Sequence, residues 1–247
     1  AAEVISADSR QVFRGLDVGT AKPTTLERRG VPHHGLDLVD PDEPWSVAAY
    51  LAHADAVLAH LAARGALAIL AGGTGFYLRA VGRGLDTAAL PSDAAMRAEI
   101  EAALAADGLE AGVARLRALA PRLADRTDRS NPRRVARALE LATLRGDAPL
   151  PEPRGYPAPA AWIGLRLERP RHARAIHARA RAQFQAGLVD EARMLRERFD
   201  PDLPAFSAIG YREAWAYLDG DLDWEAAVEL DARRNLQFAR RQATWSR

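Results

Sequence analysis

Two loops of this chain carry residues that could do chemistry together, and each follows a short apolar run. Asp8-Ser9-Arg10-Gln11 follows Val4-Ile5, and Gly72-Gly73-Thr74-Gly75 follows the apolar run 67–71. In open α/β sheets, ligands bind at the carboxyl ends of the strands. A carboxylate at that edge is placed to accept a proton from a bound substrate. We therefore expect these loops to form one site, together with the stretches 19–23 and 31–34.

The elements that must position these loops alternate between strand and helix. A strand is predicted at 3–7, and a helix runs from the N-cap Ser46 to about Ala63 with apolar residues at helical spacing. The continuous apolar run 67–71 suits a parallel strand covered on both faces, and a helix follows at 76–81. This order predicts a doubly wound α/β sheet.

From about residue 91 the chain becomes rich in alanine and arginine, and its patterns are helical with no strand between them. The helices predicted there are 93–106, 109–119 and 132–144. After a proline-rich linker, the predicted elements are a strand at 162–167, a long helix at 171–199 that is broken or bent near Gly187, and a helix at 224–245. We therefore predict an α/β core formed by 1–90 and 151–247, and a helical insertion at 91–150.

The composition is that of an ordinary globular protein, with 247 residues, 48% hydrophobic and 27% charged. The chain has no cysteine, which excludes disulfides and thiolate metal sites. No apolar run reaches the roughly 18 residues of a membrane span, and no secretory leader opens the chain. We expect a cytoplasmic enzyme that does not bind membranes.

Arginine supplies every cationic side chain except Lys22, and several arginines are clustered along the chain. Arginine forks suit phosphate oxygens, so such clusters would fit an RNA backbone. The net charge is only +1, and genome composition or solvated helix faces would explain each cluster about as well. The clusters alone therefore do not establish RNA binding.

Six motifs, in order along nearly the whole chain, resemble those of the bacterial tRNA dimethylallyltransferase family. They are the stretch 5–23, Pro32-His33-His34 with Asp40-Pro41, Gly72 to Leu78, Arg137-Ala138-Leu139-Glu140, Ala208 to Glu213, and Arg241-Gln242-Ala243-Thr244-Trp245. The resemblance implies a P-loop NTPase-like α/β core, of a nucleotide-binding type, with a parallel sheet and a helical insertion domain. The insertion would hold the anticodon stem-loop of tRNA.

The resemblance also implies an activity. Members of the family transfer a dimethylallyl group from dimethylallyl diphosphate to the exocyclic amine of the adenosine on the 3′ side of the anticodon. Magnesium assists with the diphosphate, and we expect a monomer. Asp8 matches the general base, Thr74 a second active-site position, and Arg179 an arginine that reaches the diphosphate. Without the resemblance, Thr74 could equally be a helix N-cap and Arg179 part of a solvated helix face.

Further positions match parts of the family that contact tRNA. Besides Asp8 and Thr74 they are Ser9, Arg10, Gln11, Arg97, Arg133, Arg134, Val135, Ala136, Arg137, Ser207, Ala208, Ile209, Gly210, Tyr211 and Arg212. The target base would be flipped out of the anticodon stack to reach the site. Most of the other contacts would position the RNA through its phosphates.

One feature of the family is missing from the sequence, namely the phosphate-binding Gly-x-x-x-x-Gly-Lys-Ser/Thr loop that precedes the strand at Val4-Ile5. Without that loop we expect weaker diphosphate binding and low activity, and a fragment of a longer protein would explain its absence. Three other readings stay open: an adenylate isopentenyltransferase that acts on free nucleotide, a P-loop kinase or NTPase, and a catalytically silent tRNA-binding fragment.

Two further groups of residues are not expected to form a metal site or a base-stacking platform. His33 and His34 have no third ligand at metal spacing, and the acidic stretch 37–43 is turn-rich, so no metal ligand is predicted; for the histidines we expect a role in packing the loop or in lining the substrate site. Four tryptophans are more typical of core anchors than of base-stacking platforms: Trp45, Trp162, Trp215 and Trp224.

Overall fold

The chain folds into two compact units, each with its own core. The computed structural model describes residues 2–87 and 89–245, and the backbone alone at 244 and 245. The first unit comprises Ala1–Arg83 and Tyr156–Arg247, and the second, which we call the helical unit, comprises Gly84–Gly155. The predicted insertion, 91–150, falls within the range of the helical unit.

Three parallel strands form the sheet of the first unit. They are β1 (Ala2–Ser6), β2 (His33–His34) and β3 (Leu67–Ala71), in the order β2-β1-β3. β1 pairs with β3 from Ala2 opposite Leu67 to Ser6 opposite Ala71. The loops that follow β1 and β3 therefore leave the sheet side by side. They approach so closely that a Cβ on Gly72 would lie 2.3 Å from the carbonyl of Ala7, which explains the glycine.

The described residues form ten α-helices and one short 3₁₀ helix, Pro204–Ser207. The helices are α1 (Val47–Ala63), α2 (Gly75–Arg83), α3 (Ala94–Asp107), α4 (Leu109–Leu119), α5 (Pro121–Arg126), α6 (Pro132–Arg145), α7 (Arg169–Gln185), α8 (Leu188–Arg198), α9 (Tyr211–Leu218) and α10 (Trp224–Trp245). Ser46 caps α1 as predicted, because its hydroxyl accepts from the N–H of Ala49. Gly187, with φ +104°, separates α7 from α8.

The core of the first unit joins the segment after β1 to the C-terminal helices. Val12, Phe13 and Leu16 are buried there against side chains of α7, α8, α9 and α10. Each large apolar side chain in such a core contributes about 1.5–3 kcal/mol. The segment that begins at Asp8 is therefore held by the hydrophobic core as well as by hydrogen bonds.

Helices α3 to α6 build the helical unit around a separate apolar core. Its most buried large side chains are Ile100, Leu116, Val135, Leu139 and Leu141. Asp93 caps α3 and Asn131 caps α6, each through a side-chain oxygen that accepts from backbone N–H groups. Gly112 allows α4 to approach Leu104 of α3, because a Cβ there would lie 2.0 Å from the leucine side chain.

The predicted strand at 162–167 is wrong, since none of these residues is in a strand. A strand exists only where its backbone groups find a ladder partner, and this segment pairs with no described strand. Its apolar side chains face solvent, with Leu165 97% and Trp162 62% exposed, so Trp162 is not a core anchor. Trp215 is one, at 7% exposure, whereas Trp45 and Trp224 are half-buried against the same core.

No helix among the described residues combines the length and the apolar character that a bilayer crossing needs.

Candidate active site

A cavity of about 200 Å³ opens in the first unit where the loops after β1 and β3 meet α7 and α10. Its lining includes Asp8, Gly73, Arg179, Gln183, Asn235 and Gln242. The residues come from four segments that are far apart in sequence. The fold therefore creates a site that no single stretch of the chain contains.

A tight turn after β1 fixes the carboxylate of Asp8. One of its oxygens, Oδ1, accepts from the backbone N–H of Arg10 at 2.8 Å and from that of Gln11 at 3.4 Å. This is the Asx-turn geometry that aspartate adopts readily. An ionised carboxylate offers about four acceptor positions, so this turn leaves capacity for a proton or a ligand on the cavity side.

The loops after β1 and β3 are joined by direct hydrogen bonds. The N–H of Ser9 donates to Oγ1 of Thr74 at 3.0 Å, and the hydroxyl of Thr74 donates to Oγ of Ser9 at 3.3 Å. The N–H of Thr74 donates to the carbonyl of Ala7. The two loops that the sequence predicted to lie together do so, and Thr74 connects them.

Arg179, on α7, lines the same cavity as Asp8 and has an exposed side chain. Among the described residues no carboxylate lies within 4 Å of its guanidinium. The next arginine on the helix, Arg181, is different because it forms a two-pronged ion pair with Glu225. Arg179 thus keeps donors that can face an anion in the cavity.

Asp231, on α10, is a buried carboxylate close to this arginine, and it is 1% exposed. Burial and the nearby carboxylate of Glu213 raise the pKa of Asp231 from 3.8 to about 6, against the opposing effects of Asn235, Arg179 and Arg234. Asn235 donates to Oδ2 of Asp231 at 3.1 Å and also lines the cavity.

The C-terminal helix contacts the glycine loop directly. Nε2 of Gln242 donates to the carbonyl of Gly73 at 3.0 Å, and Phe238 lies one helical turn earlier on the same wall of the cavity. Sequence reasoning assigned no role to Asn235, Phe238 or Gln242. Their spacing along α10, at 235, 238 and 242, was the available signal, because it places all three on one helix face.

Comparison with known proteins shows the family of this chain. The model of the family described as "IPP transferase" matches residues 11–247. The chain belongs to this family. Curated relatives named tRNA dimethylallyltransferase include those of Bordetella pertussis, 43% identical, and Anaeromyxobacter sp. strain K, 47% identical. Each comparison covers 99% of this chain and 81% of the relative.

Solved structures agree with this membership. The tRNA isopentenylpyrophosphate transferase of Bacillus halodurans is 38% identical and superposes with a TM-score of 0.69 over 99% of this chain and 78% of that one. A eukaryotic dimethylallyltransferase acting on tRNA, 21% identical, superposes with a TM-score of 0.77 over 99% of this chain and 63% of that one, and shows the fold alone. The predicted P-loop NTPase-like α/β class and the prenyltransferase resemblance are confirmed.

The stretch 207–212, which matched a tRNA-contacting part of this family, divides by exposure. Ser207 and Arg212 are exposed and Ile209 is half-buried. Tyr211 is fully buried, and its hydroxyl donates to Glu191 at 2.7 Å, while Ala208 is 7% exposed. The side chains of Tyr211 and Ala208 are therefore held in the core of the first unit, and the tRNA contact predicted for these two positions stays a prediction about their backbone.

The candidate RNA residues of the helical unit divide in the same way. Arg133 and Arg134 are exposed at the start of α6, whereas Val135 and Ala136 are buried in the core of the unit, so their side chains are not available to RNA. The tRNA contact predicted for those two positions stays a prediction about their backbone. The amphipathic pattern of α6 required the difference, since consecutive residues of a helix cannot all face solvent.

Arg97 and Arg137 hold a buried carboxylate. Both guanidinium groups donate to Oε2 of Glu140, at 2.8 and 2.7 Å, and the N–H of Asp93 donates to Oε1 at 2.7 Å. Burial works against the charge of Glu140, but the bonds from Arg137, Asp93 and Arg97 outweigh it and lower its pKa. These two arginines therefore stabilise the helical unit, whatever they contribute to RNA binding.

The histidines and acidic residues near β2 have structural partners. His34 contacts Oε2 of Glu3 at 2.7 Å, and Arg64 pairs with the same buried carboxylate. Asp37 accepts from Nζ of Lys22 at 2.6 Å, and Asp40 lies 3.3 Å from Arg14. The described residues contain no group of three His, Cys, Asp or Glu side chains that could hold a metal ion.

Proposed function

We propose that this chain transfers a dimethylallyl group from dimethylallyl diphosphate to the exocyclic amine of the adenosine on the 3′ side of the tRNA anticodon. The observation that carries the proposal is one cavity that Asp8 and Arg179 both line, in a chain of the IPP transferase family. The carboxylate can accept the proton of the amine, and the guanidinium can donate hydrogen bonds to the departing diphosphate.

The reaction needs a base because the adenine amine is a weak nucleophile, with its lone pair delocalised into the ring. As the new N–C bond forms, the amine becomes acidic, and Asp8 accepts its proton. The two N–H donors of Arg10 and Gln11 keep the carboxylate in place during this step. Holding the base in place in this way lowers the barrier, because the entropy that two free reactants would lose on meeting has already been lost on folding and binding.

The other half of the reaction breaks the allylic C–O bond, and the diphosphate leaves with the bonding electrons. Negative charge develops on its oxygens as the bond breaks. Arg179 can donate two parallel hydrogen bonds to those oxygens, which lowers the barrier by stabilising the charge that appears in the transition state. The carboxylate of Asp231, on α10, interacts electrostatically with this arginine.

The RNA must bring an extruded base into the cavity. Exposed cations that could position its backbone are Arg212 in the first unit and Arg133 and Arg134 in the helical unit. We expect the protein to act as a monomer in the cytoplasm, on the anticodon stem-loop.

Magnesium is expected with the diphosphate rather than as a resident of the protein. Asp8 is the one carboxylate among the residues that line the cavity, and magnesium held by protein side chains alone needs more oxygen ligands than that. The residues described do not fit a protein-only magnesium site, so no step above depends on the ion.

Labelled prenyl transfer to tRNA and to AMP tests the proposal. We expect transfer to tRNA; Asp8→Ala should slow it about 100-fold or more while leaving tRNA affinity nearly unchanged. Arg179→Ala should raise the KM for dimethylallyl diphosphate and lower kcat, whereas Arg171→Ala, an exposed arginine on the same helix, should change neither.

Other outcomes point to the competing functions. Efficient transfer to AMP with none to tRNA would identify a nucleotide prenyltransferase, and tRNA binding with no transfer to either would identify a silent binder. ATP consumption in the absence of a prenyl donor would indicate a kinase or NTPase. Unchanged turnover in Asp8→Ala would remove Asp8 from the mechanism.

A further inference from the structure

A short backbone segment, 17–21, connects the surroundings of Asp8 to those of Arg179. Its three successive N–H groups at Asp17, Val18 and Gly19 all donate to the carboxylate of Glu191, at 3.1, 2.7 and 3.1 Å. The hydroxyl of Tyr211 donates to the same carboxylate at 2.7 Å. Glu191 lies on α8 and is 8% exposed. Four donors therefore saturate one buried anion.

The carbonyl groups of the same segment are held by two glutamines. Nε2 of Gln183 donates to the carbonyls of Val18 and Gly19, at 2.7 and 3.0 Å. Nε2 of Gln11 donates to those of Thr20 and Ala21, at 3.2 and 3.3 Å. The segment is thus held through its N–H groups by Glu191 and through its carbonyl groups by Gln183 and Gln11.

The two glutamines tie the segment to the reacting groups. Gln183 lies one helical turn after Arg179 on α7 and lines the same cavity. Gln11 belongs to the turn that fixes Asp8, because its N–H donates to the aspartate carboxylate. The segment 17–21 therefore bridges the proposed base and the proposed diphosphate ligand.

Close packing restricts the movement of the segment 17–21. A Cβ on Gly19 would lie 2.6 Å from the ring of Tyr211, so the aromatic ring rests directly on the backbone. At the far end, Nζ of Lys22 is buried and donates to Asp17, Asp37 and the carbonyl of Phe13, at 2.5, 2.6 and 2.9 Å. The bridge has the contacts of a rigid spacer.

We infer that Glu191 is a positioning residue for prenyl transfer: by gripping the segment 17–21, it sets the distance and orientation of Asp8 relative to Arg179. The inference rests on the proposed roles of those two residues. A displacement of about 1 Å between reacting groups costs on the order of 100-fold in rate, whereas each group can still bind its own ligand. Loss of the grip should therefore lower kcat more than it raises either KM.

The test is Glu191→Gln, which keeps the size of the side chain but places an amide N–H₂ against backbone N–H donors. We expect kcat to fall about 10- to 100-fold, with the KM for tRNA and for dimethylallyl diphosphate changed by less than about 3-fold. Tyr211→Phe removes one donor and keeps the ring on Gly19, so a smaller fall in kcat is expected. If Glu191→Gln does not fold, the kinetics of Tyr211→Phe and Gln183→Met decide the matter.

The matched control is Val228→Ala. Val228 is a buried member of the same core, on α10, and its substitution lowers stability while leaving in place the hydrogen bonds of Glu191 and Gln183 to the segment 17–21. At a temperature where both variants are folded, Val228→Ala should keep the kcat of the parent chain. Equal losses of kcat in the two variants, or an unchanged kcat in Glu191→Gln, would overturn the inference.

Asp8→Ala and Arg179→Ala, assayed alongside, separate this inference from the proposed function. If both variants lose activity as expected and Glu191→Gln does not, only the positioning role fails. If neither variant loses activity, the proposed roles of Asp8 and Arg179 fail, and the basis of the inference fails with them.

Discussion

Asp231 is a buried carboxylate whose charge lowers the stability of the first unit. It is 1% exposed and shares its surroundings with the buried Glu213, which is paired with Arg234 and with the N–H of Gly210. Asn235 is the neutral partner of Asp231, and Arg179 and Arg234 are the cations that favour its charge. A buried anion with so little compensation is more typical of a functional position than of a structural one.

Asp231→Asn should stabilise the protein at neutral pH. Burial raises the pKa of Asp231 to about 6, so the folded state favours the protonated carboxyl. The stability that this preference contributes is fully present below about pH 4 and is lost as the pH rises through 6. The shift corresponds to about 3 kcal/mol, so the variant should gain about 1–3 kcal/mol at pH 7 and almost nothing at pH 4. Urea unfolding of both proteins from pH 4 to 8 measures this. A gain that is the same at both ends would contradict the assignment of the titration to Asp231.

Residue by residue, the sequence indicated the proposed substrate-contacting groups more readily than the groups that hold them. Asp8 follows an apolar strand and Thr74 a glycine turn, and the family resemblance then assigned a role to each; both roles stay predictions. Glu191 binds Gly19, 172 positions away, and Gln242 binds Gly73, 169 positions away. No local pattern reports such pairs, because they exist only once the C-terminal helices have packed against the β1 loop.

At the scale of elements, most helices followed the sequence closely, whereas the short helices α5 and α9 were not predicted and the predicted last strand is not formed. A helix satisfies its own backbone, so the cap at Ser46 and the glycine at 187 were sufficient signals. A strand depends on a neighbour, and the apolar pattern of 162–167 could not supply one. The same dependence explains why the two-residue strand His33–His34 was not predicted.

The loop between β3 and α2 offers a matched pair of glycine substitutions. Gly72→Ala would place its Cβ 2.3 Å from the backbone of Ala7, which cannot move without opening the β1–β3 pairing. Gly73→Ala would meet only the end of the Gln242 side chain, at 2.1 Å, and that end can rotate away. We expect Gly72→Ala to cost about 3 kcal/mol or more and Gly73→Ala about 1 kcal/mol, by thermal unfolding. Equal costs would mean that the two loops are less closely packed than described.

At the scale of the whole molecule, the net charge of +1 cannot by itself attract a polyanion such as tRNA. Any electrostatic binding must depend on where exposed arginines lie. Many arginines are already paired within the protein, among them Arg97 and Arg137 with Glu140, and Arg196 with Asp219. Sequence clusters did not distinguish paired from exposed arginines, because pairing is decided by tertiary packing.

The double substitution Arg133→Ala with Arg134→Ala should therefore weaken tRNA binding in a salt-dependent way. Each arginine that contacts a phosphate contributes about 0.7–0.9 to the slope of log K against log salt concentration, so the slope should decrease by about 1.5. At saturating tRNA, kcat should stay within about 2-fold, because a contact to a phosphate positions the RNA and takes no part in the chemical step. Arg193→Ala with Arg196→Ala removes the same charge from α8, where both arginines are paired with aspartates, as Arg134 is with Asp128 at 3.3 Å. Filter binding across a salt series should show no change of slope for this control, and an equal decrease in both double variants would attribute the effect to net charge instead of a specific RNA surface.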